Sequence, residues 1–117
     1  MTYVDAFAAP VPLANREKYT GHSTEVAAIF REYGAIGYVE CWGDDLPDGE
    51  ITSFPLAVKK TEDETVCIGW ALWPSREFRN QAMAKLMQDE RMKPENMQMP
   101  FDGMRLIYGG FEVIVDA

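Results

Sequence analysis

Residues 65–73 (TVCIGWALW) carry no charged side chain. A near-continuous apolar run of that length marks a strand buried on both faces. Such a strand needs cover above and below. A chain of 117 residues is long enough to supply it within one domain, burying roughly two-thirds of its unfolded surface.

The flanking segments show what the cover is. Residues 13–33 read as a helix, because Tyr19, His22, Val26, Ile29 or Phe30, and Tyr33 recur at steps of three and four. Gly34 follows in the place where helices commonly end on a left-handed residue. Gly21 inside that helix is unfavourable by about 1 kcal/mol against alanine. A second helix opens at Ser75, a capping residue, with Glu77 in its first turn and Phe78, Ala82, Met83, Leu86 and Met87 as its buried stripe.

Three further strands are expected. Residues 2–8 form the first, ended by Pro10 and Pro12. Residues 35–43 form the second, with Tyr38, Glu40 and Trp42 on one face and Val39 and Cys41 on the other. Residues 56–60 (LAVKK) read as a short strand segment, and 89–103 as a loop broken by Pro94 and Pro100. The last strand is expected over 104–115, about 40 Å of strand. A strand of that length needs a bulge or a close backbone approach, for which Gly109-Gly110 is suited. No helix follows the pair, so it is not a phosphate-cradling loop.

The order is β-α-β-β-α-β: α+β, a ferredoxin-like four-stranded antiparallel sheet with both helices on one face. Tyr38, Trp42 and part of the 65–73 run are expected on the other face. A second copy of the chain, packed sheet on sheet, would cover that patch.

The net charge of −8 and the scattered basic residues argue against nucleic acid and against an anionic membrane surface. No apolar run approaches the roughly 18 residues of a spanning helix, and no leader is evident, so the expected compartment is the cytoplasm. Cys41 and Cys67 have neither redox-motif nor zinc spacing and read as two buried thiols. The acidic segment 44–50 (DDLPDGE) fails as a calcium loop, because Leu46 and Pro55 stand where ligands belong. Neither a metal site nor a cofactor site is expected.

The segments YVDAFAAPVP, GAIGYVECWGDDLPDGEITSFP, DETVCIGWALWPSRE and MPFDGMRLIYGGFE together resemble the small bacterial YbaA-like proteins, a family of unknown function. The resemblance spans nearly the whole chain and implies the dimeric α/β-barrel superfamily. That superfamily hosts unrelated chemistries, so it selects no reaction.

A few residues stand out as candidates for chemistry. His22 is the only histidine and lies on the helix stripe. It is a candidate acid/base, oriented by Asp5 or Glu40, two carboxylates set in apolar strands. The plainer reading is a core or edge histidine. Arg105 is the expected cationic partner for Asp5, Glu40 and Glu112, and with Tyr108 a candidate ligand-orienting group. Tyr38, Trp42, Trp70 and Tyr108 would wall a pocket. The competing reading is an ion-pair set that holds a dimer together. Six of the seven methionines fall within residues 83–104, which reads as gap-filling. The expected function is therefore a homodimer binding a small molecule in the barrel between the two sheets or in the helix–sheet cleft, with cofactor-free acid/base chemistry; the alternative is a non-catalytic dimeric interaction module.

Overall fold

A computed structural model describes all 117 residues. Its strands are β1 (Tyr3–Pro12), β2 (Gly37–Trp42), β3 (Glu64–Trp73) and β4 (Ile107–Glu112). Its helices are α1 (Arg16–Glu32), the short α2 (Phe54–Ala57) and α3 (Arg76–Leu86). The sheet runs β2-β3-β1-β4, all pairs antiparallel. The ferredoxin-like order is thus present, with the 65–73 run as an inner strand. No helix is long and apolar enough to cross a membrane.

The local signals act as their chemistry dictates. The Ser75 hydroxyl accepts from the Phe78 N–H at 3.1 Å and caps α3. Gly34 ends α1 with φ +104°, and a side chain there would strike the Phe78 ring. Segment 56–60 is a correction. Ser53 accepts from Leu56 N–H, and the chain turns into α2 instead of a strand.

The prolines do not break β1, a second correction. Leu13 N–H donates to Asp63 O. Odd-numbered residues of β1 therefore direct their backbone groups toward β3, and even-numbered ones toward β4. Since β4 ends opposite Ala8, Pro10 and Pro12 aim their missing donors where no strand lies.

The last strand is shorter than expected. A 3-10 turn occupies Gly103–Arg105, and the six residues of β4 pair one to one with Tyr3–Ala8 without a bulge. The glycine pair is not a kink. A Cβ at Gly110 would collide with the Tyr3 hydroxyl and the Arg79 guanidinium, so the close-approach role holds there. Gly109 meets nothing closer than Phe111 at 3.5 Å.

The core lies between sheet and helices. Tyr3, Ala71 and Trp73 pack with Ala82 of α3 and with Phe30, while Val11 and Cys67 pack with Tyr19 of α1. Tyr38 stacks near Phe30 and Trp42 near Tyr19. Both therefore face the helices, opposite to expectation. The other face is partly covered by Val58 and Leu46 over Ala8, Val66 and Ile68. Val39, Trp70, Ile107 and Phe111 remain 37–58% exposed. Cys41, expected to be buried, is exposed on that open side.

Candidate binding site between helices and sheet

Two rows of facing residues make the floor of a cleft. Asp5, Ala71 and Tyr38 are one row across β1, β3 and β2; Phe7, Gly69 and Glu40 are the next. The small residues in the middle leave space, and Phe7 lies where a side chain at Gly69 would stand. The helix layer supplies one wall, from Tyr19, His22, Val26 and Phe30 of α1 and Met83 of α3. The connection from α3 to β4 supplies the roof: Met87, Met92, Pro94, Met97, Met99 and Phe101 all line the same space. The cavity measures about 650 Å³, within the range of small-molecule sites.

The roof is fastened at both ends. Arg91 donates to Glu32 at 2.7 Å and to Asp89 at 2.8 Å, and the Tyr33 hydroxyl donates to Asp89 at 2.7 Å. Those bonds hold the Asp89 carboxyl well below the usual carboxylate range, Arg91 contributing most. At the other end Asn15 donates to Pro100 O at 2.9 Å, and the Phe101 ring packs edge-on to Tyr19.

The polar groups in this wall are few and placed in two groups. At one end Asp5 accepts from the Trp73 indole N–H at 2.9 Å and pairs with Arg79 at 3.0 Å, while Arg79 lies over the Tyr3 ring. At the other end Glu40 receives two phenols: Tyr19 donates to Oε1, and Tyr38 to Oε2 at 2.7 Å. Burial first, with the adjacent Glu40, drives both phenol pKa values far above the ordinary tyrosine value. The phenols therefore stay protonated and act as donors. His22 lines the same cavity, edge-on to Phe101 at 6.3 Å. Burial lowers its pKa below 6.5, against an opposing pull from Glu40 and Glu25.

That shift has a testable sign. His22 is expected to titrate below 6.5, and Glu40→Gln to lower it further, because Glu40 favours the imidazolium. The stability tied to a neutral His22 is complete above 6.5 and is lost as pH falls through the lowered folded value. NMR titration of the single histidine reads it; a midpoint at or above 6.5 would contradict the buried placement.

The structure brings Asp5, His22, Glu40, Tyr38 and, at the rim, Tyr108 around one cavity. It does not bring the others. Trp70 faces away on the open side, paired across from Val39. Trp42 lies under Arg16 at 5.3 Å, outside the cavity. Glu112 is exposed at the sheet edge. Arg105 is a correction: it binds Glu64 in a two-pronged bridge at 2.8 and 2.7 Å, and also holds Asp102 and Lys59 O. The partner of Asp5 is Arg79, which has no distinguishing signal in the sequence. The methionine roof did have one, in its clustering.

The Glu64–Arg105 bridge ties the start of β3 to the turn before β4. Arg105, with Thr61 adding to it, holds the Glu64 carboxyl down to about 2. Its contribution is complete above the unfolded value near ~4.3 and is lost as pH falls toward the folded one. Arg105→Ala is expected to move acid unfolding, followed by circular dichroism, to higher pH. An unmoved midpoint would mean that the bridge contributes nothing.

Fold and site together define a ferredoxin-like α+β protein with a roofed helix–sheet cavity. The profile of the family described as "Protein of unknown function (DUF1428)" matches residues 2–103. "Uncharacterized protein YbaA" of Escherichia coli K12 is 47% identical over 116 residues, covering 99% of both chains, and its Shigella flexneri counterpart aligns equally. The chain belongs to this family, whose function is unknown. Among solved structures, SnoaB, a cofactor-independent oxygenase from Streptomyces nogalater, aligns over 98% of this chain and 93% of its own, with TM-score 0.53 and 14% identity. A likeness at that identity shows the fold.

Proposed function

We propose that this protein binds a small, largely apolar molecule in the helix–sheet cavity and moves a proton on it without a cofactor. The observation that carries this reading is Glu40, a carboxylate set in a wall of methionine and aromatic side chains and gripped by two phenols. In that setting Glu40 accepts a proton from the ligand, and as its own charge is neutralised the Tyr19 and Tyr38 hydroxyls are released to donate to the anion left on the ligand. His22, kept neutral by burial, is a second acid/base group within the same wall. Arg79, positioned by Asp5 and Tyr3, presents the one guanidinium of the cavity wall and would orient an oxygen of the ligand.

The protomer acts within a symmetric homodimer. Val39, Trp70, Ile107 and Phe111 form an open apolar face on the sheet side away from the helices. A second copy presenting the same face would remove it from water.

A thermal-shift screen of metabolites, run beside Met83→Trp, tests the cavity. A ligand of the wild type is expected to add about 2.7 kcal/mol at a hundredfold excess over Kd. The indole of Met83→Trp intrudes into the space, and the shift should shrink there. A ligand that shifts both proteins equally binds elsewhere, and a broad screen with no shift would favour the plain dimeric module.

A further inference from the structure

Arg79 brings the guanidinium of the cavity wall, and nearly all its donors are taken. A guanidinium is a fork of N–H donors, one on Nε and two on each terminal nitrogen. Nε and one N–H of Nη2 donate to the Asp5 carboxylate at 3.1 and 3.0 Å. The other N–H of Nη2 donates to the Tyr3 hydroxyl at 3.4 Å, and one of Nη1 to Asn80 Oδ1 at 2.8 Å. A single N–H of Nη1 is left over. The group is also boxed in. It lies 4.8 Å from the centre of the Tyr3 ring, and the Gly110 backbone comes so close that a Cβ there would strike it.

An arginine that grips a carboxylate or phosphate uses two parallel N–H bonds. Here the edge formed by Nε and Nη2 is already filled by Asp5. The wall as a whole sets two carboxylates, Asp5 and Glu40, against that one guanidinium. An anion stripped of water and brought beside them would meet repulsion without a fork to hold it. We infer that the cavity selects an uncharged ligand bearing one acceptor oxygen, of the ketone or amide kind, and that Asp5 is the residue that sets this selection by occupying Arg79. The inference rests on the reading of the cavity as a ligand site, and the selection does not depend on the proton step.

The sheet register adds a length. Asp5 stands across from Ala71 and Tyr38, and Glu40 across from Gly69 and Phe7. The two carboxylates are thus two strands and two residues apart, roughly 12 Å between their backbone positions. Between them lie Ala71, Gly69 and the Phe7 ring, none of which carries a polar side chain. The ligand class is a neutral, mostly apolar molecule with its acceptor oxygen at one end. On the reading of Glu40 as proton acceptor, its acidic proton is at the other.

Three probes of one shape test the selection: 4-acetyl-4′-hydroxybiphenyl, 4′-hydroxybiphenyl-4-carboxylate and 4-phenylphenol. They carry a ketone, an anion and nothing at the end opposite the phenol. Methyl NMR signals of Met87, Met92, Met97 and Met99, which line the cavity, report binding there. At neutral pH the ketone is expected to bind about tenfold or more tightly than the carboxylate, and more tightly than 4-phenylphenol. Asp5→Asn keeps an acceptor oxygen for Trp73, removes the charge, and is expected to reverse the order of ketone and carboxylate. Adding Arg79→Gln should restore the original order, since the reversal needs the released guanidinium. If Asp5→Asn weakened all three probes alike, Asp5 would be merely structural and the proposal would fall. Equal or tighter binding of the carboxylate by the wild type would overturn the proposal alone and leave the cavity a ligand site. That comparison needs no variant, so it carries the test if Asp5→Asn does not fold. Methyl signals unmoved by every probe would overturn the proposal together with the reading of the cavity.

Discussion

Trp73→Ala is expected to cost about 3–5 kcal/mol, against a total margin of about 5–15 kcal/mol for a domain. Trp73 is fully buried, and its ring lies between Phe30 at 5.9 Å and Phe78 at 6.3 Å. It therefore joins α1, α3 and the sheet at one point. The indole also has a polar duty, because its N–H donates to Asp5. Trp73→Phe separates the two contributions. It keeps most of the packing and removes one bond to a carboxylate that Arg79 still holds, for a cost of about 1–2 kcal/mol. Urea unfolding with an unchanged slope measures both. A cost below about 1 kcal/mol for the alanine variant would mean that this cluster does not unite the layers.

Trp70→Glu combined with Phe111→Glu is expected to yield a folded monomer. Both side chains stand on the open face, at 37% and 58% exposure in the single chain. The substitutions should leave the protomer's own core intact. In a symmetric interface each substitution appears twice, and a buried unpaired charge costs several kcal/mol. A penalty of about 4 kcal/mol weakens association roughly a thousandfold. Sedimentation over a concentration series reads the outcome. A wild type that sediments as a monomer at every concentration would sink the dimer, and so would a variant that associates as before.

The two alternations in the chain made most of the fold legible. The 65–73 run has no polar phase, so it must lie inside the sheet, and it pairs with β1 and β2 on its two sides. The capping serine and the helix-ending glycine act within a few residues of themselves, so the chain alone locates them. Signals that depend on a neighbour were harder. Two prolines usually end a strand, yet here β4 stops short of them and the missing donors have no one to bond. A twelve-residue β-rich stretch suggested a long strand, but only six residues have a partner to pair with.

The candidate site divides along the same line. Asp5, His22 and Glu40 stood out because a carboxylate in an apolar strand and a solitary histidine on an apolar stripe are local anomalies. Their partners come from far away in the chain: Arg79 lies 74 residues from Asp5, and Tyr19 lies 21 from Glu40. Nothing in the spacing could have chosen Arg79 over Arg105.

What the sequence determined by itself is the order of elements, the inner strand, and which residues share a face, since periods of 2 and 3.6 are properties of the backbone. Thus Tyr38, Glu40 and Trp42 were bound to point the same way. Which way they point was settled only in three dimensions. Phe30 and Tyr19 on α1 offer those rings an aromatic cover, and this places Glu40 at the bottom of a cavity instead of on an open face. Burial area decides that choice, and area exists only once the helices have docked on the sheet.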